Sequence, residues 1–198
     1  MIELPDRVVV PLGRAVSAEW DPTIGQRVVT VAVPGVFVGL TEEEHAIWSA
    51  AATGVSKEQL IREARVDGPG TTYNAVQRYG LLAEIGTEPD LLLREATGLR
   101  LLTHSRVGVD PRYGTVVGDP DGPNVRLSPV GMELYARSAG SHSLAAVAVL
   151  VATQASDVGV NDPEIIRPQR LARRALAEFF PLVRDGLASF GVVEGNPS

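Results

Sequence analysis

Apolar positions in the first forty residues fall into short extended pieces. Arg14-Ala15-Val16-Ser17-Ala18-Glu19-Trp20 precedes the turn-forming Asp21-Pro22-Thr23-Ile24-Gly25, and Arg27 to Val33 is a β-branched run that stops at Pro34-Gly35. Val36-Phe37-Val38-Gly39-Leu40 follows. β-Branched runs separated by Pro and Gly turns predict antiparallel strands joined by tight hairpins.

The period changes at Thr41. Thr41-Glu42-Glu43-Glu44 has the spacing of a capping box, with the hydroxyl accepting from the N3 amide and Glu44 reaching back. Leu40, Ile47, Trp48 and Ala51 give an apolar stripe at helical spacing, and Thr53-Gly54 predicts the stop. A second helix start is predicted at Ser56, with Gln59 three residues on and Leu60, Ile61 and Ala64 as its stripe. Asp67 to Gly70 reads as a loop, and a third helix opens at Thr71 or Thr72, carrying Tyr73, Val76 and Tyr79 to Gly80. Leu81 to Ile85 is a final apolar return.

The second half repeats this order. Leu99-Arg100-Leu101-Leu102, Arg106 to Val109 and Thr115-Val116-Val117 are short extended runs, and Val125-Arg126-Leu127 leads into Ser128. Leu40-Thr41 matches Leu127-Ser128, Ile47-Trp48 matches Leu134-Tyr135, and Tyr79-Gly80-Leu81-Leu82 matches Phe190-Gly191-Val192-Val193. The second half adds Ser156 to Asp162 and a long helix over Pro163 to Phe180, ended by Pro181. Fixed-order similarity of this kind predicts a duplication. The expected organisation is α+β, two tandem winged-helix-like domains of short antiparallel strands followed by three helices each. They span 1–86 and 99–198, and a linker at 87–98 contains a short helix at Pro89 to Arg94.

The run Val31 to Leu40, the "Leu-Thr" helix from Thr41 to Gly54, and the second helix over Val55 to Ile61 resemble the PqqD-like winged-helix domains, also called RiPP recognition elements. The resemblance covers about residues 14–85, with a weaker second pass over 99–193. Family members bind the leader segment of a ribosomally made peptide and present it to a modifying enzyme. The resemblance implies a peptide lying between the third strand, Val36-Phe37-Val38-Gly39, and the third helix at Tyr73, Val76 and Gln77. The physics would be strand addition, with backbone hydrogen bonds giving affinity and alternating side-chain pockets giving selectivity. The plainer reading makes Phe37, Tyr73 and Val76 core residues.

Composition narrows the alternatives. The chain has 198 residues, 44% of them hydrophobic and 21% charged, which is an ordinary globular balance. A formal charge of −6 disfavours a generic nucleic-acid binder, which gathers cations against phosphate. The absence of cysteine excludes thiolate catalysis, disulfides and thiolate metal sites, and fits a reducing cytoplasm. Met1 to Asp6 lacks the pattern of a signal peptide, and the longest apolar run, Leu144 to Ala152, is too short to span a bilayer.

Candidate chemistry is sparse, and neither a cofactor nor a catalytic activity is expected. His45, His104 and His142 sit in no zinc-binding spacing, and Ser141-His142-Ser143 is a poor nucleophile–base pair because adjacent residues rarely aim at one another. Gly68-Pro69-Gly70-Thr71-Thr72 lacks the lysine of a phosphate loop. Asp119, Asp121 and Asn124 hint at a calcium loop, but Pro120 and Pro123 interrupt it and no glutamate closes it. Two other classes fit the pattern. A winged-helix DNA-binding regulator would use Arg167, Arg170, Arg173 and Arg174, spaced as one helical face for phosphates or an acidic partner, with Asn74 and Gln77 for base edges. An interaction scaffold would offer a large apolar surface instead.

Overall fold

The computed structural model describes residues 3–110, 114–118, 122–140 and 142–193. The first half starts with β1 (Arg7–Pro11) and a three-stranded meander, β2 (Arg14–Asp21), β3 (Gln26–Val33) and β4 (Val36–Leu40). Helices α1 (Glu42–Ala50), α2 (Lys57–Glu63) and α3 (Pro69–Arg78) follow, and β5 (Leu82–Gly86) returns to pair antiparallel with β1. After α4 (Pro89–Glu95) the second half runs β6 (Leu99–Thr103), the meander β7 (Arg106–Asp110), β8 (Gly114–Gly118) and β9 (Asn124–Val125), then α5 (Pro129–Ser138), α6 (Leu144–Asp157), α7 (Pro163–Ile166) and α8 (Pro168–Arg184). It closes with β10 (Ala188–Val192) antiparallel on β6. The class is α+β. Each half encloses its meander and helices between its own first and last strands.

Local chemistry accounts for most element ends. Thr41 and Glu44 form the capping box, with the Thr41 amide donating to Glu44 Oε2 at 3.0 Å and the Glu44 amide to Thr41 Oγ1 at 3.3 Å. Ser56 caps α2 through the Gln59 amide. Three expected boundaries move. Helix α3 starts at Pro69, not at the threonines: Gly68 takes a left-handed φ of 57° and Pro69 sits at the first helical position, where its missing donor costs nothing. The expected single helix over 163–180 is broken before Pro168, because a residue preceding proline is pushed out of the helical region; Arg167 has φ −99° and ψ 111°. Helix α8 then runs through Pro181 to Arg184, held down by its buried Phe179, Phe180 and Leu182.

Two apolar clusters form the interior. The smaller joins Val31, Leu40, Ile47, Trp48, Tyr73 and Val76. The larger is built on α6, α8 and β10 but also takes Leu4, Val8, Val10, Leu12 and Ile85 from the first half. Strand β1 stands between them: Val8 and Val10 face the larger cluster and Val9 the smaller. The 87–98 segment is packed as well, with Leu92 and Ala96 fully buried in the larger cluster. Further ties cross the halves. Leu12 forms a parallel bridge to Phe190, the Gly13 amide donates to the Phe190 carbonyl at 2.8 Å, and Trp48 Nε1 donates to the Leu12 carbonyl at 3.0 Å. Among the described residues no helix is long and apolar enough to cross a membrane.

Candidate functional site

Strand β4 is an outer strand of its sheet, whose order is β2-β3-β4. Pro34-Gly35 makes the two-residue connection from β3, Pro34 presetting its own φ and Gly35 taking φ 78°, the usual assignment in a turn that needs a positive angle. The register sets Val33 opposite Val36, Val31 opposite Val38 and Val29 opposite Leu40, so Val36, Val38 and Leu40 share the core-side face. Burial rises along that face: Val36 is exposed, Val38 half-buried and Leu40 fully buried. Phe37 lies on the other face opposite Ala32 and is 74% exposed. The strand thus runs off the core, leaving Val36 and Phe37 in solvent beside an unpaired backbone edge.

The sheet has a second outer strand, β2, and the two edges differ in chemistry. Strand β2 has a register shift between Ala15 and Ser17 and carries Arg14, Glu19 and Asp21. Bulges and charges are the devices that keep edge strands from pairing with other chains. Strand β4 has neither: its five residues are uncharged and its pairing with β3 is regular. The strand occupying the same place in the second half, β9, has only two residues.

The helical side of the expected groove needs correction. Tyr73 and Val76 are fully buried in the smaller cluster, so their side chains are core and not peptide contacts. The inward stripe of α3 packs on α1 and α2, and α1 in turn lies against β3 and β4. Gln77 is turned toward β5, where its amide donates to Glu84 Oε1 at 3.4 Å. The same oxygen accepts from the Tyr73 hydroxyl at 2.9 Å and pairs with Lys57 Nζ at 3.4 Å, while Lys57 sits 4.7 Å from the Tyr73 ring centre. Burial, and then the neighbouring Glu84, raise the Tyr73 phenol well above its ordinary range.

What joins α3 to the end of β4 is Tyr79, which the periodicity placed only on a helical stripe. It is 47% exposed, and its hydroxyl donates to Glu44 Oε1 at 3.2 Å while Glu44 Oε2 holds the Thr41 amide. The Glu44 charge raises the Tyr79 phenol. A contiguous polar chain, Thr41–Glu44–Tyr79, therefore borders the point where β4 enters the core.

The arginines of α8 are each tied to one acceptor among the described residues. Arg170 pairs with Glu164, Arg173 Nη2 donates to the Leu4 carbonyl at 3.3 Å, and Arg174 Nε donates to Glu178 at 2.9 Å. Arg167 precedes Pro168 as the non-helical residue at the start of α8. The histidines are dispersed. His45 lies 5.8 Å from the Trp48 ring centre, and burial followed by Arg27 lowers its pKa. His104 Nε2 is 2.8 Å from Ser189 Oγ, and burial followed by Arg14 lowers its pKa too. Ser189 is 2% exposed. No group of three His, Asp or Glu among the described residues converges as metal ligands would. Asp119, Pro120, Asp121 and Ser141 lie outside the described residues. Comparison of the chain with protein-family models, with curated proteins and with solved structures finds no match.

Proposed function

We propose that this chain is a non-catalytic, winged-helix-like peptide-binding protein that takes an extended peptide as an added strand on the free edge of β4. In the manner of the RiPP recognition elements it resembles, it would hold a precursor segment for a modifying enzyme. One observation carries this reading: β4 is an open, regular, uncharged edge with Phe37 74% exposed, whereas the opposite edge of the same sheet is bulged and charged. Exposed apolar edges without protection are where strand addition occurs. The peptide contacts are Val36, Phe37, Val38 and Gly39, with Tyr79 and Glu44 at the buried end of the strand. Tyr73 and Val76 support the wall from inside. A nucleic-acid ligand fits less well, since the chain carries a formal charge of −6 and nucleic-acid binders gather cations against phosphate.

The test is a displayed random-peptide selection against the wild-type protein, with hits titrated against Phe37→Asp, Phe37→Pro and Val38→Pro. Successive residues of a strand aim their amides to opposite sides, so one of the two prolines removes only an outward donor. Loss of binding in Phe37→Asp and in the folded proline variant is expected. Hits that bind all folded variants equally would remove the β4 placement.

A further inference from the structure

A cleft of about 620 Å³ lies between the N-terminal segment, α4, α7 and α8, beside the larger cluster. Volumes of roughly 300–1,000 Å³ suit small-molecule ligands. Its apolar lining is Leu4, 6% exposed and anchored in the larger cluster, with Pro89 and Ala177. Its polar lining is dominated by Arg170, Arg173 and Arg174, one turn of α8.

Among the described residues each of these guanidiniums makes one bond: Arg170 to Glu164, Arg173 to the Leu4 carbonyl and Arg174 to Glu178. A guanidinium has five N–H donors in a planar fork suited to carboxylate and phosphate. Most donors therefore remain for a ligand, and the side chains of Arg170 and Arg174 keep 42% and 27% of their surface exposed. Glu164 and Glu178 balance Arg170 and Arg174, whereas Arg173 is held by the neutral Leu4 carbonyl and has no ion pair among the described residues, so its charge is the one open to an anion in the cleft. The existing bonds also fix the arginines: Arg173 is tied to the N-terminal segment and Arg174 to a carboxylate that is itself held by Ser128. Preorganised donors lose less freedom when an anion arrives.

We propose that this cleft binds a small organic oxyanion, a phosphate monoester or carboxylate carried on a compact apolar group. The oxyanion meets Arg170 and Arg173, and the apolar group rests on Leu4, Pro89 and Ala177. The site is separate from the β4 edge and does not depend on the peptide reading.

The experiment is calorimetric titration of the full chain with phenyl phosphate, benzoate and inorganic phosphate at matched ionic strength, repeated on Arg170→Gln and Arg173→Gln. At least one of the two organic anions is expected to saturate a single site, and the one that does identifies the headgroup. Each glutamine variant should weaken it about tenfold, the loss of a charge-assisted hydrogen bond. Inorganic phosphate should bind several-fold more weakly than the preferred organic anion because it leaves the apolar floor uncovered. If Arg173→Gln loosens the N-terminal segment, Arg170→Gln carries the comparison alone. No saturable binding of either organic anion overturns the proposal. So does affinity unchanged in the glutamine variants, or inorganic phosphate binding as tightly as the organic ligand.

Discussion

The carboxylate of Glu178 occupies the space that a β-carbon on Gly131 would fill; a Cβ built there lies 2.7 Å from Glu178 Cδ. Glu178 Oε2 accepts from the Ser128 amide at 2.9 Å and Oε1 from the Ser128 hydroxyl at 2.6 Å, while that hydroxyl accepts from the Gly131 amide at 2.9 Å. In the first half, Thr41 and its own N3 glutamate, Glu44, do the same work within one turn. The second half has glycine at N3 and draws the carboxylate from α8, 50 residues away in sequence. A capping box split between two helices thus also clamps α5 to α8.

That clamp gives the first prediction. Gly131→Ala should lower stability by about 1–3 kcal/mol, because the added carbon meets a fixed carboxylate and not a movable chain end. Glu178→Gln should also destabilise, by about 1–3 kcal/mol, since its bonds to Arg174 and Ser128 are charge-assisted. Urea denaturation followed by dichroism measures both. Full wild-type stability in Gly131→Ala would mean that Glu178 is not seated there.

Acid should act on the fold in two stages. Burial alone would raise the Glu178 pKa, but the bonds from Arg174 and Ser128, with the Arg174 charge, outweigh it and hold the group below 4.5. Its contribution is present above the unfolded value and disappears as pH falls through the depressed folded value. His45 and His104 are also depressed, below 6.5, chiefly by burial. A base with a lowered folded pKa favours the unfolded state once the unfolded chain begins to protonate. Stability should therefore decline first as pH drops below about 6.5 and again below about 4.5. Urea midpoints across this range test both stages, and His104→Gln should flatten the upper one. A midpoint that rises on acidification through the upper stage would contradict the burial of these rings.

The two tryptophans should report different surroundings. Trp20 is 66% exposed on the β2–β3 hairpin, while Trp48 is 9% exposed with its indole N–H bonded to Leu12. Trp20→Phe should leave a single blue-shifted emission that acrylamide quenches poorly. Trp48→Ala should cost ~3–5 kcal/mol, as large-to-small changes in cores do. A red, readily quenched emission from the Trp20→Phe protein would contradict the register of α1.

Under the peptide-binding proposal, one peptide should bind per chain. Strand β9, at two residues, offers too few backbone groups to hold an added strand where β4 offers five. Native mass spectrometry of a selected complex should give a 1:1 ratio, and Phe37→Asp should abolish binding with stability changed by less than about 0.5 kcal/mol, as at ordinary surface positions. A 1:2 complex would assign a docking strand to the second half.

Short-range signals were legible in the sequence and long-range ones were not. The caps at Thr41 and Ser56 were readable because both partners lie within one helical turn. The Ser128 cap was readable only in half, since its carboxylate comes from another helix. Strand β1 was missed because Val8-Val9-Val10 does not alternate; both its faces are covered, one by each cluster. At the candidate site, the edge position of β4 followed from the hairpin order, and the exposure of Val36 and Phe37 fits a strand at an edge. The helix residues do not, because periodicity identified the stripe of Tyr73 and Val76 without saying that it faces inward. Glu44 and Tyr79 meet across 35 residues, a contact no spacing rule announces.

The divided loyalty of β1 has a consequence for how the chain is made. The buried residues of the smaller cluster reach only as far as Leu82, so most of the support of β4 is present once β5 has been synthesised, although Val33 and the turn at Ala51–Thr53 also meet elements made later. Val8, Val10, Leu12 and Ile85 must wait for α8 and β10, synthesised about a hundred residues later, before their apolar surface is covered. During that interval the nascent chain carries the β4 edge on one side and an uncovered apolar face on the other. Under the peptide-binding proposal, a peptide held early would bind to a half-built molecule, and the arrival of β10 would seal it.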